Sequence, residues 1–464
     1  MKTFEKKISI PETKINDISA IVKRFQDRGF ECYLVGGSVR DLIMGRPVLD
    51  YDFATNAHPE DVMKIFRRVV PTGIKHGTVS VLKGNRSYEV TTYRSDGKYI
   101  DGRRPQNVIF SETLEEDVKR RDFTINGLAY DTINEKIIDY VDGIEDINKR
   151  IIRTIGNAEL RFSEDGLRPY RACRFAAKLN FQIEENTFIA ISQSLDIAKV
   201  ISIERVRDEF MKLIEADIPS IGFEYMRESG LLDLFLPELS MCYGVTQNKY
   251  HQYDIYYHSL YSCDAIPGSD PIIKLAGLLH DIGKVETRRM GNDGEYTFYN
   301  HEVVGAKIIR KIMKRLKFSN EEKARVNNLI LNHMFHYTDE WTDGAVRRFM
   351  RKVGMENLND LFILRLADRR GNGKRDGLPD PINRLIKRID KVIEEENAIK
   401  VKDLDINGYE IMEEFNIKPS PMIGHILKDL LELVLDDPDL NKKQILLKKA
   451  HEAYNRITNE TASE

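Results

Sequence analysis

The sequence predicts an α+β unit followed by mainly α-helical units. Short β-branched runs separated by turns lie between residues 31 and about 145. From about residue 146 onward the apolar residues recur at helical spacing. A chain of 464 residues is too long for one compact core, so we expect roughly three or four structural units. We place their boundaries at 1–145, 146–245, 246–375 and 376–464.

The composition narrows the class of protein. Hydrophobic residues make up 41% of the chain and charged residues 31%, which is typical of a soluble, helix-rich intracellular protein. No run approaches the roughly 20 apolar residues of a membrane span, and the polar N-terminus lacks the apolar core of a signal peptide. We therefore expect a cytoplasmic protein with no membrane partner. A net charge of −3 neither requires nor excludes nucleic acid.

Cysteine usage argues against disulfides and zinc knuckles. No two of the four cysteines have CxxC spacing, so we expect buried, reduced thiols. They are Cys32, Cys173, Cys242 and Cys263.

The first unit begins with a helix predicted over residues 1–30, where Ile18, Ile21 and Phe25 lie at helical spacing. Five later segments have the β-branched composition of strands. These are CYLVGG, YDFAT, TVSVL, SYEVTTYR and IIDYVDG.

A candidate phosphate-binding turn follows the first predicted strand. Gly36 and Gly37 come directly after Tyr33–Val35, and Ser38 and Arg40 lie in the predicted helix that follows. Glycines let backbone N–H groups approach an anion, and a helix N-terminus adds a favourable dipole. A Gly-Gly pair alone more often marks an ordinary tight turn.

Two carboxylates follow this turn. Asp50 and Asp52 flank Tyr51 in a strand-like segment, and residues two apart on a strand share a face. Mg²⁺ prefers oxygen ligands and binds through one or two carboxylates together with substrate phosphates. The segment therefore predicts a Mg²⁺ site, with Glu89 as a weaker candidate for a third carboxylate. Taken alone, the DxD pattern fits a solvated loop equally well.

Several segments resemble one family in their order along the chain. After GGSVRD and DYDFAT come PTGIKHGTVSV, EVTTYRSDGKYIDGRRPQNVIF, LEEDVKRRDFTINGLAY, DYVDGIEDI and EDGLRPYRACRFAAKL. This series, over roughly residues 30–240, resembles the class II tRNA nucleotidyltransferases (CCA-adding enzymes) and the related bacterial poly(A) polymerases. PTGIKHGTVSV is more similar to the tRNA enzymes, because the polymerase branch is usually more basic there.

The resemblance implies both a fold and a reaction. The expected fold is an α+β polymerase-β-like nucleotidyltransferase head followed by mostly α-helical neck, HD and tail domains. The expected reaction is template-independent addition of CCA to the 3′ end of tRNA, with CTP and ATP as substrates and Mg²⁺ held by Asp50 and Asp52. Poly(A) synthesis, addition of CC or A alone, and a catalytically silent RNA-binding protein remain alternatives.

The family also implies nucleotide contacts. Arg121 and Asp122 are expected to contact ribose and phosphate, with Asn126 nearby, although an ordinary charged helix surface would show the same residues. An Arg fork suits a triphosphate because it offers several donors in one plane.

A second implied feature is a flexible loop. The segment DGRRP, with Asp101, Arg103 and Arg104, matches the flexible loop of full CCA-adding enzymes. Relatives that add only CC are expected to lack this loop in intact form, so its presence favours addition of the final A.

A base-reading group is predicted further along. Glu164, Asp165, Arg168 and Arg171 lie at i, i+1, i+4 and i+7, where helical spacing places i, i+4 and i+7 on one face. Asp can accept a proton of the exocyclic amino group that C and A share, and Arg can donate to a ring nitrogen or carbonyl. The resemblance assigns this reading to Asp165 and Arg168, with Glu164 holding Arg168. A plain helical salt bridge is the alternative.

This segment departs from the family pattern at two positions. Gly166 occupies the usual Pro position, and Pro169 follows Arg168. A Pro inside a helix leaves the carbonyl four residues earlier without its donor, which here is the carbonyl of Asp165. Either the helix begins later than the spacing suggests, or the base reader is tilted.

A histidine-rich stretch follows in the third unit. The order of its His and Asp residues resembles that of the HD phosphohydrolase superfamily, and His301 and His333 correspond to the extra ligands of members with two metals. The candidate ligands are His258, His280, Asp281, His301, His333 and Asp368. A divalent metal there would lower the pKa of water. Lys284 is a candidate phosphate contact, while His251 and His336 are expected in the core.

The HD resemblance implies hydrolysis of 2′,3′-cyclic or 3′-terminal phosphates on tRNA ends. A domain that holds metal without turnover is the alternative, as is an HD site that carries the main activity. The identity of the metal and the choice between monomer and dimer stay open.

The C-terminal residues 401–450 resemble the family's tail. Pro421–Gly424 are expected to open a helix whose N-terminal amides face a tRNA phosphate. A helical hairpin that only closes the core is equally compatible with this pattern.

Overall fold

A computed structural model describes residues 1–5, 8–95, 99–100, 104–105, 109–268, 270–374, 376–398 and 403–461. Asp101 and Arg103 of the predicted flexible loop lie outside the described residues.

Most of the strands lie in the first 152 residues. In chain order they are β1 (Lys2–Glu5), β2 (Cys32–Val35), β3 (Asp52–Thr55), β4 (Val69–Gly73), β5 (Thr78–Lys83), β6 (Arg86–Thr92), β7 (Arg94–Ser95), β8 (Tyr99–Ile100), β9 (Arg104–Pro105), β10 (Ile109–Phe110), β11 (Leu128–Asp131), β12 (Lys136–Asp139), β13 (Ile151–Ile152), β14 (Gln182–Ile183), β15 (Arg289–Met290) and β16 (Tyr296–Thr297).

Eight of these strands form one sheet in the order β1-β12-β11-β2-β3-β6-β5-β4. The β3–β6 pair is parallel, with Asp52 opposite Glu89, and the other neighbours are antiparallel. All five predicted strand segments are present. The parallel pair brings two acidic residues side by side in the middle of the sheet.

The first residues do not belong to the predicted N-terminal helix, and the prediction was wrong there. Lys2–Glu5 pairs with β12 as an edge strand, and the helix begins only at Glu12, after Pro11. Proline has its φ fixed and lacks an N–H, so it suits the start of a helix and not its interior.

The remainder of the chain is mainly helical. The helices are α1 (Glu12–Gln26), α2 (Gly37–Ile43), α3 (Pro59–Ile65), α4 (Leu114–Lys119), α5 (Gly143–Lys149), α6 (Ala158–Glu164), α7 (Arg168–Leu179), α8 (Glu185–Gln193), α9 (Leu195–Lys199), α10 (Ile203–Ile214), α11 (Pro219–Glu228), α12 (Pro237–Ser240), α13 (Ile255–Asp264), α14 (Pro271–Leu279), α15 (Lys284–Thr287), α16 (His301–Arg315), α17 (Asn320–Asn332), α18 (Asp343–Val353), α19 (Leu358–Gly371), α20 (Asp380–Ala398), α21 (Gly408–Phe415), α22 (Pro421–Asp436) and α23 (Lys443–Thr461). The predicted fold class is confirmed.

Four hydrophobic clusters lie in the described part of the chain, and two of them are the main cores. The larger core is continuous from the sheet through the middle helices to α20; its members include Phe53, Phe162, Phe210, Leu279, Leu329 and Leu385. The smaller core is confined to the last helices and includes Ile411, Ile426, Leu430 and Leu446. Burial of such side chains contributes about 1.5–3 kcal/mol each, so each core stabilises its own set of helices.

The last helices contact the larger body through α18. Arg351 Nη1 lies 2.6 Å from Glu432 Oε2, and Arg347 Nη1 lies 3.3 Å from Asp436 Oδ1. Pro421 occupies the first turn of α22, as the sequence predicts.

The cysteines and the helices bear on two expectations from composition. All four cysteines are buried and unpaired, which confirms the reading of reduced thiols. Within the described ranges, none of the helices has the length and apolar character needed to cross a bilayer.

Candidate functional site

The first cleft opens where β2 ends and α2 begins. Gly36 has φ +76 and a Cβ there would lie 3.0 Å from Nη1 of Arg121, so only glycine suits the turn. The Gly36 N–H donates to Leu128 O, and Ser38 Oγ donates to Val35 O. The predicted Gly-Gly turn therefore lies directly beside a guanidinium.

Carboxylates form one wall of this cleft. Asp52 and Glu89 both line a cavity of about 440 Å³, while Tyr51 between the two aspartates is 2% exposed and packs into the core. Burial, together with the charges of Glu89 and Asp50, raises the pKa of Asp52 to about 6, although the charge of Arg121 opposes the shift. Carboxylates that repel one another in this way suit a divalent cation, because the cation favours their charged forms.

Arginines line the same cavity. Arg121 reaches the cleft while two of its nitrogens donate to Asp117 Oδ2, at 2.9 and 3.3 Å. The arginines lining the cavity are Arg40, Arg94, Arg120, Arg121, Arg168 and Arg171. Guanidinium groups and carboxylates that line one cavity fit a metal-bound polyphosphate.

Asp122 connects the head to α7. Its Oδ2 accepts from Arg171 Nε at 2.8 Å and its Oδ1 accepts from Asn126 Nδ2 at 3.1 Å, while Asn126 Oδ1 accepts from Arg40 Nη1 at 2.6 Å. Burial opposes ionisation, but the Arg171 charge and these hydrogen bonds hold the pKa of Asp122 well below its usual range. Arg40, only 2% exposed, supports the floor of the cleft.

The base-reading residues do not share one helix face, and that interpretation was wrong. Glu164 is the last residue of α6 and Arg168 is the first of α7. Between them Asp165 is extended (φ −146, ψ 107), and its carbonyl accepts from the Arg168 N–H at 2.9 Å. Pro169 lies in the first turn of α7, where its missing N–H costs nothing. The later helix start, one of the two expected outcomes, is the correct one.

The turn between α6 and α7 packs tightly on α9. A Cβ on Gly166 would lie 2.4 Å from the carbonyl oxygen of Ile197 and 3.0 Å from Ala198 Cα. Glycine at the usual Pro position therefore allows close backbone contact.

Asp165 and Arg168 are both held by neighbours and both line the first cavity. Arg168 Nη1 donates to Glu164 Oε2 and to Arg161 O, and its Nη2 donates to Arg120 O at 3.1 Å. Asp165 Oδ2 accepts from Arg205 Nη2 at 3.1 Å. Sequence reasoning missed Arg205, because it lies 40 residues away on α10 and only the fold brings it close.

A second cluster lies among the middle helices, centred on Asp281. Its Oδ2 lies 3.2 Å from His258 Nε2 and 3.3 Å from His280 Nε2. Its Oδ1 lies 3.3 Å from His301 Nε2 and 3.8 Å from His333 Nε2. All six residues predicted for this site come together, since Asp368 Oδ1 is 3.3 Å from His258 Nε2.

The histidines are oriented as metal ligands. Nδ1 lies within hydrogen-bond distance of a backbone carbonyl in three of them: His280 with Gly277 O at 2.8 Å, His301 with Phe298 O at 2.8 Å and His333 with Ile330 O at 2.7 Å. An Nδ1–H bonded in this way leaves Nε2 free to bind a metal.

The donor set fits a divalent metal. The Nε2 atoms of His258 and His280 are 3.2 Å apart, as are those of His301 and His333, separations that two ligands of one ion at about 2.1 Å can adopt. Asp281 Oδ2 is buried and lies beside the Nε2 atoms of His258 and His280. His258, His280 and Asp368 form one ligand group, and His280, Asp281 and His333 form another.

Lys284 and His251 lie beside this cluster. Lys284 Nζ is 2.5 Å from Asp281 Oδ2 and 2.7 Å from Gln247 Oε1. His251 Nε2 is 3.5 Å from that ammonium, and burial with the Lys284 charge lowers the pKa of His251 to about 3. His251 thus lines a pocket and is not a core residue, and His336 is exposed; both expectations of core packing were wrong.

Three family models match successive parts of the chain. They are the poly A polymerase head domain over residues 32–153, the probable RNA and SrmB-binding site of polymerase A over 180–242, and the HD domain over 250–373. The CCA-adding enzyme of Streptococcus sanguinis (strain SK36) is 33% identical over 416 residues, which cover 90% of this chain and 92% of that protein.

The chain belongs to the family of CCA-adding enzymes.

Other relatives agree with this assignment. The CCA-adding enzyme of Lactobacillus delbrueckii subsp. bulgaricus (strain ATCC 11842) is 34% identical to the enzyme over 422 residues, covering 89% of this chain and 92% of that protein. The crystal structure of the Bacillus stearothermophilus CCA-adding enzyme in complex with CTP aligns with a TM-score of 0.68 at 28% identity, covering 97% of this chain and all of that chain. The expected nucleotidyltransferase family is confirmed.

Proposed function

We propose that this enzyme adds CCA to the 3′ end of tRNA from CTP and ATP, with Mg²⁺ as its cofactor. One observation carries the proposal: Asp165 and Arg168 line the same 440 Å³ cavity as Asp52 and Glu89. A cavity of this size accepts a small-molecule substrate. A nucleoside triphosphate bound there would have its phosphates at the carboxylates and its base at the α6–α7 turn.

Asp50 and Asp52 are the proposed Mg²⁺ ligands, with Glu89 adjacent to Asp52 on the parallel strand. Bound Mg²⁺ would supply charge stabilisation at the attacking and leaving oxygens. The 3′-oxygen of tRNA forms a new bond to the α-phosphorus, the bond from that phosphorus to pyrophosphate breaks, and the proton of the 3′-hydroxyl is released. Arg121, beside the Gly36–Gly37 turn, neutralises charge on the triphosphate.

The α6–α7 turn selects the base. Asp165 accepts the amino proton that cytosine and adenine share, and Arg168 donates to the ring nitrogen. Uracil and guanine present a carbonyl where Asp165 needs a donor, so the hydrogen bond to Asp165 is lost, which costs about 0.5–1.5 kcal/mol or more for a charged acceptor. Glu164 and the carbonyls of Arg161 and Arg120 hold Arg168 in one orientation.

The remaining units are proposed to hold the RNA. Residues 146–245 form the neck and 376–464 the tail, and both would contact tRNA by its shape and not its sequence. The DGRRP segment, which resembles the flexible loop of full CCA-adding enzymes, is proposed to support addition of the final A.

A nucleotide-addition assay tests this proposal. The protein is incubated with Mg²⁺ and tRNA that ends before CCA, with CTP alone, ATP alone or both, and the products are resolved on a sequencing gel. Two additions with CTP and a third only with ATP present are expected. A long A ladder would assign the enzyme to poly(A) synthesis, and arrest after CC would show that the DGRRP loop does not support A addition. No addition under any condition would leave a silent RNA-binding protein.

For the second cluster we propose hydrolysis of 2′,3′-cyclic or 3′-terminal phosphates, which would regenerate the 3′-hydroxyl that nucleotide addition needs. Six ligand residues around Asp281 carry this proposal. Bound divalent metal would lower the pKa of water at this site. Water adds its oxygen to phosphorus, one ribose P–O bond breaks, and the ribose oxygen takes the proton. Lys284 is placed to contact the phosphate.

Asp281→Asn tests the second activity. The substitution is expected to abolish hydrolysis of 2′,3′-cyclic AMP while leaving CTP incorporation intact, because Asp281 lies outside the first cleft. If the wild-type protein binds metal and gains thermal stability without hydrolysis, the cluster is a structural metal site.

A further inference from the structure

The pocket above the second cluster is larger than its metal ligands require. Its volume is about 550 Å³, and the ligands Asp281, His301, His333 and Asp368 account for only part of its lining. Cavities of a few hundred Å³ hold whole small molecules. The remaining lining residues therefore have room to bind a group attached to the phosphate.

Aromatic rings surround the mouth of this pocket. Tyr250 and Tyr299 both line it and are 54% and 80% exposed. Tyr296 also lines the pocket, and the Arg288 guanidinium covers its ring at 3.6 Å. A tyrosine ring that lines a cavity and still exposes most of its surface offers a face for stacking, and nucleobases stack on such faces without regard to sequence.

The segment that carries Tyr299 is fixed to the metal site. Phe298, the residue before it, has its carbonyl 2.8 Å from Nδ1 of His301. The neighbouring wall is tied to this segment, because Lys249 N–H donates to Glu295 Oε2 at 3.1 Å and Arg288 Nη2 donates to Thr246 Oγ1 at 2.5 Å. The segment that carries Tyr299 is therefore bonded both to a residue of the cluster and to the neighbouring wall.

A polar group without a partner lies deeper in the pocket. Asn372 is 5% exposed and lines the cavity, and its Oδ1 has no hydrogen-bond partner in the described part of the chain. It lies four residues after Asp368 on the α19 side, and the Asn372 N–H donates to the Asp368 carbonyl. An unsatisfied buried acceptor is costly, so a hydrogen donor from a ligand would be stabilising here.

We infer that this pocket binds the unpaired nucleoside of its phosphate substrate, with the base stacked on Tyr299 beside Tyr250 and a nucleoside hydrogen donated to Asn372 Oδ1. The inference rests on the proposed phosphohydrolase site and specifies its substrate class: a terminal or free nucleotide, not a phosphate ester without a base. A base-paired end is excluded, because a paired base cannot enter a pocket of this size with its partner.

Two cyclic phosphodiesters separate base binding from catalysis. The full-length protein with Mn²⁺ is assayed on 2′,3′-cyclic AMP and on glycerol 1,2-cyclic phosphate, which has the same reactive ring type without a base. Tyr299→Ala is expected to raise KM for the nucleotide by about tenfold, with kcat retained and no change on the glycerol substrate. Tyr299→Phe keeps the ring and is expected to match the wild type.

A matched control exists in the tail. Tyr409 is 82% exposed and remote in sequence from the pocket, so Tyr409→Ala is expected to leave both rates unchanged. Equal KM for wild type and Tyr299→Ala, or an equal loss on both substrates, would overturn the inference.

Failure of the proposed function gives a different result. If the wild type hydrolyses neither substrate, the phosphohydrolase proposal fails, and calorimetric binding of 3′-AMP then decides the inference. Weaker binding by Tyr299→Ala than by wild type supports a nucleoside pocket, while equal binding rejects it.

Discussion

Replacing Gly166 with alanine is expected to damage nucleotide addition although the residue has no side chain in the cleft. The added Cβ would lie 2.4 Å from the Ile197 carbonyl oxygen and 2.7 Å from its carbon. An ordinary contact begins at 3.4 Å, so the turn and α9 must separate by about 1 Å. Overpacking of this kind costs about 1–3 kcal/mol.

The separation matters because Asp165 is the preceding residue. Its carboxylate is positioned by the Leu167 N–H at 3.1 Å and by Arg205 at 3.1 Å. A misplacement of about 1 Å can reduce catalysis about 100-fold. We therefore expect Gly166→Ala to lower kcat/KM for both CTP and ATP by about that factor.

Single-nucleotide incorporation into tRNA and thermal unfolding measure the two effects. Gly424→Ala is the matched control for the unfolding measurement, since its added Cβ meets nothing within 4 Å, and an alanine at an exposed position of helix α22 is expected to be neutral or slightly stabilising. Full activity and an unchanged unfolding midpoint in Gly166→Ala would refute the view that close packing on α9 positions the base reader.

Three further predictions concern charge. Arg171→Met leaves the buried Asp122 carboxylate without its main partner and is expected to lower the free energy of unfolding by about 3 kcal/mol at pH 7. Because Arg171 lowers the pKa of Asp122, the stability difference between variant and wild type in chemical denaturation should shrink as pH falls below about 4. A difference that stays constant with pH would contradict this. Because the pKa of Asp52 is raised to about 6, its charged form is lost as pH falls from 7 to 5. The rate of CTP incorporation at limiting Mg²⁺ is therefore expected to halve near pH 6, and saturating Mg²⁺ is expected to move this midpoint to lower pH. A midpoint that does not depend on Mg²⁺ would refute the assignment of Asp52 as a metal ligand. Glu164→Gln loosens Arg168 and is expected to reduce the preference for CTP over UTP about tenfold in kcat/KM, whereas an unchanged ratio would mean that the backbone carbonyls alone hold Arg168.

The sequence predicted those features that depend on local pattern. Strand composition located β2, β3, β5, β6 and β12, and the motif order located both clusters. It did not locate β1, because Lys2–Glu5 forms a strand only through pairing with β12, more than 130 residues away. Tertiary pairing of this kind has no local signal.

Local spacing also misled at the base reader. The i, i+4, i+7 pattern suggested one continuous helix, but Pro169 places the start of α7 at Arg168 and Asp165 in an extended turn. The contact of Arg205 with Asp165 and the position of His251 in a pocket both depend on packing between segments that are distant in sequence. No motif therefore indicated them.

The shared core from the sheet to α20 has a consequence for how RNA moves. The elements that carry the two clusters share that one core, so in the described part of the chain no break in the core separates one cluster from the other. The last helices, with their own core, are joined to α18 by few ion pairs. Under the proposed functions, an RNA end trimmed at the second cluster would leave and rebind before it is extended at the first. Repair and extension would then be separate encounters, and the end that the RNA presents would set their order.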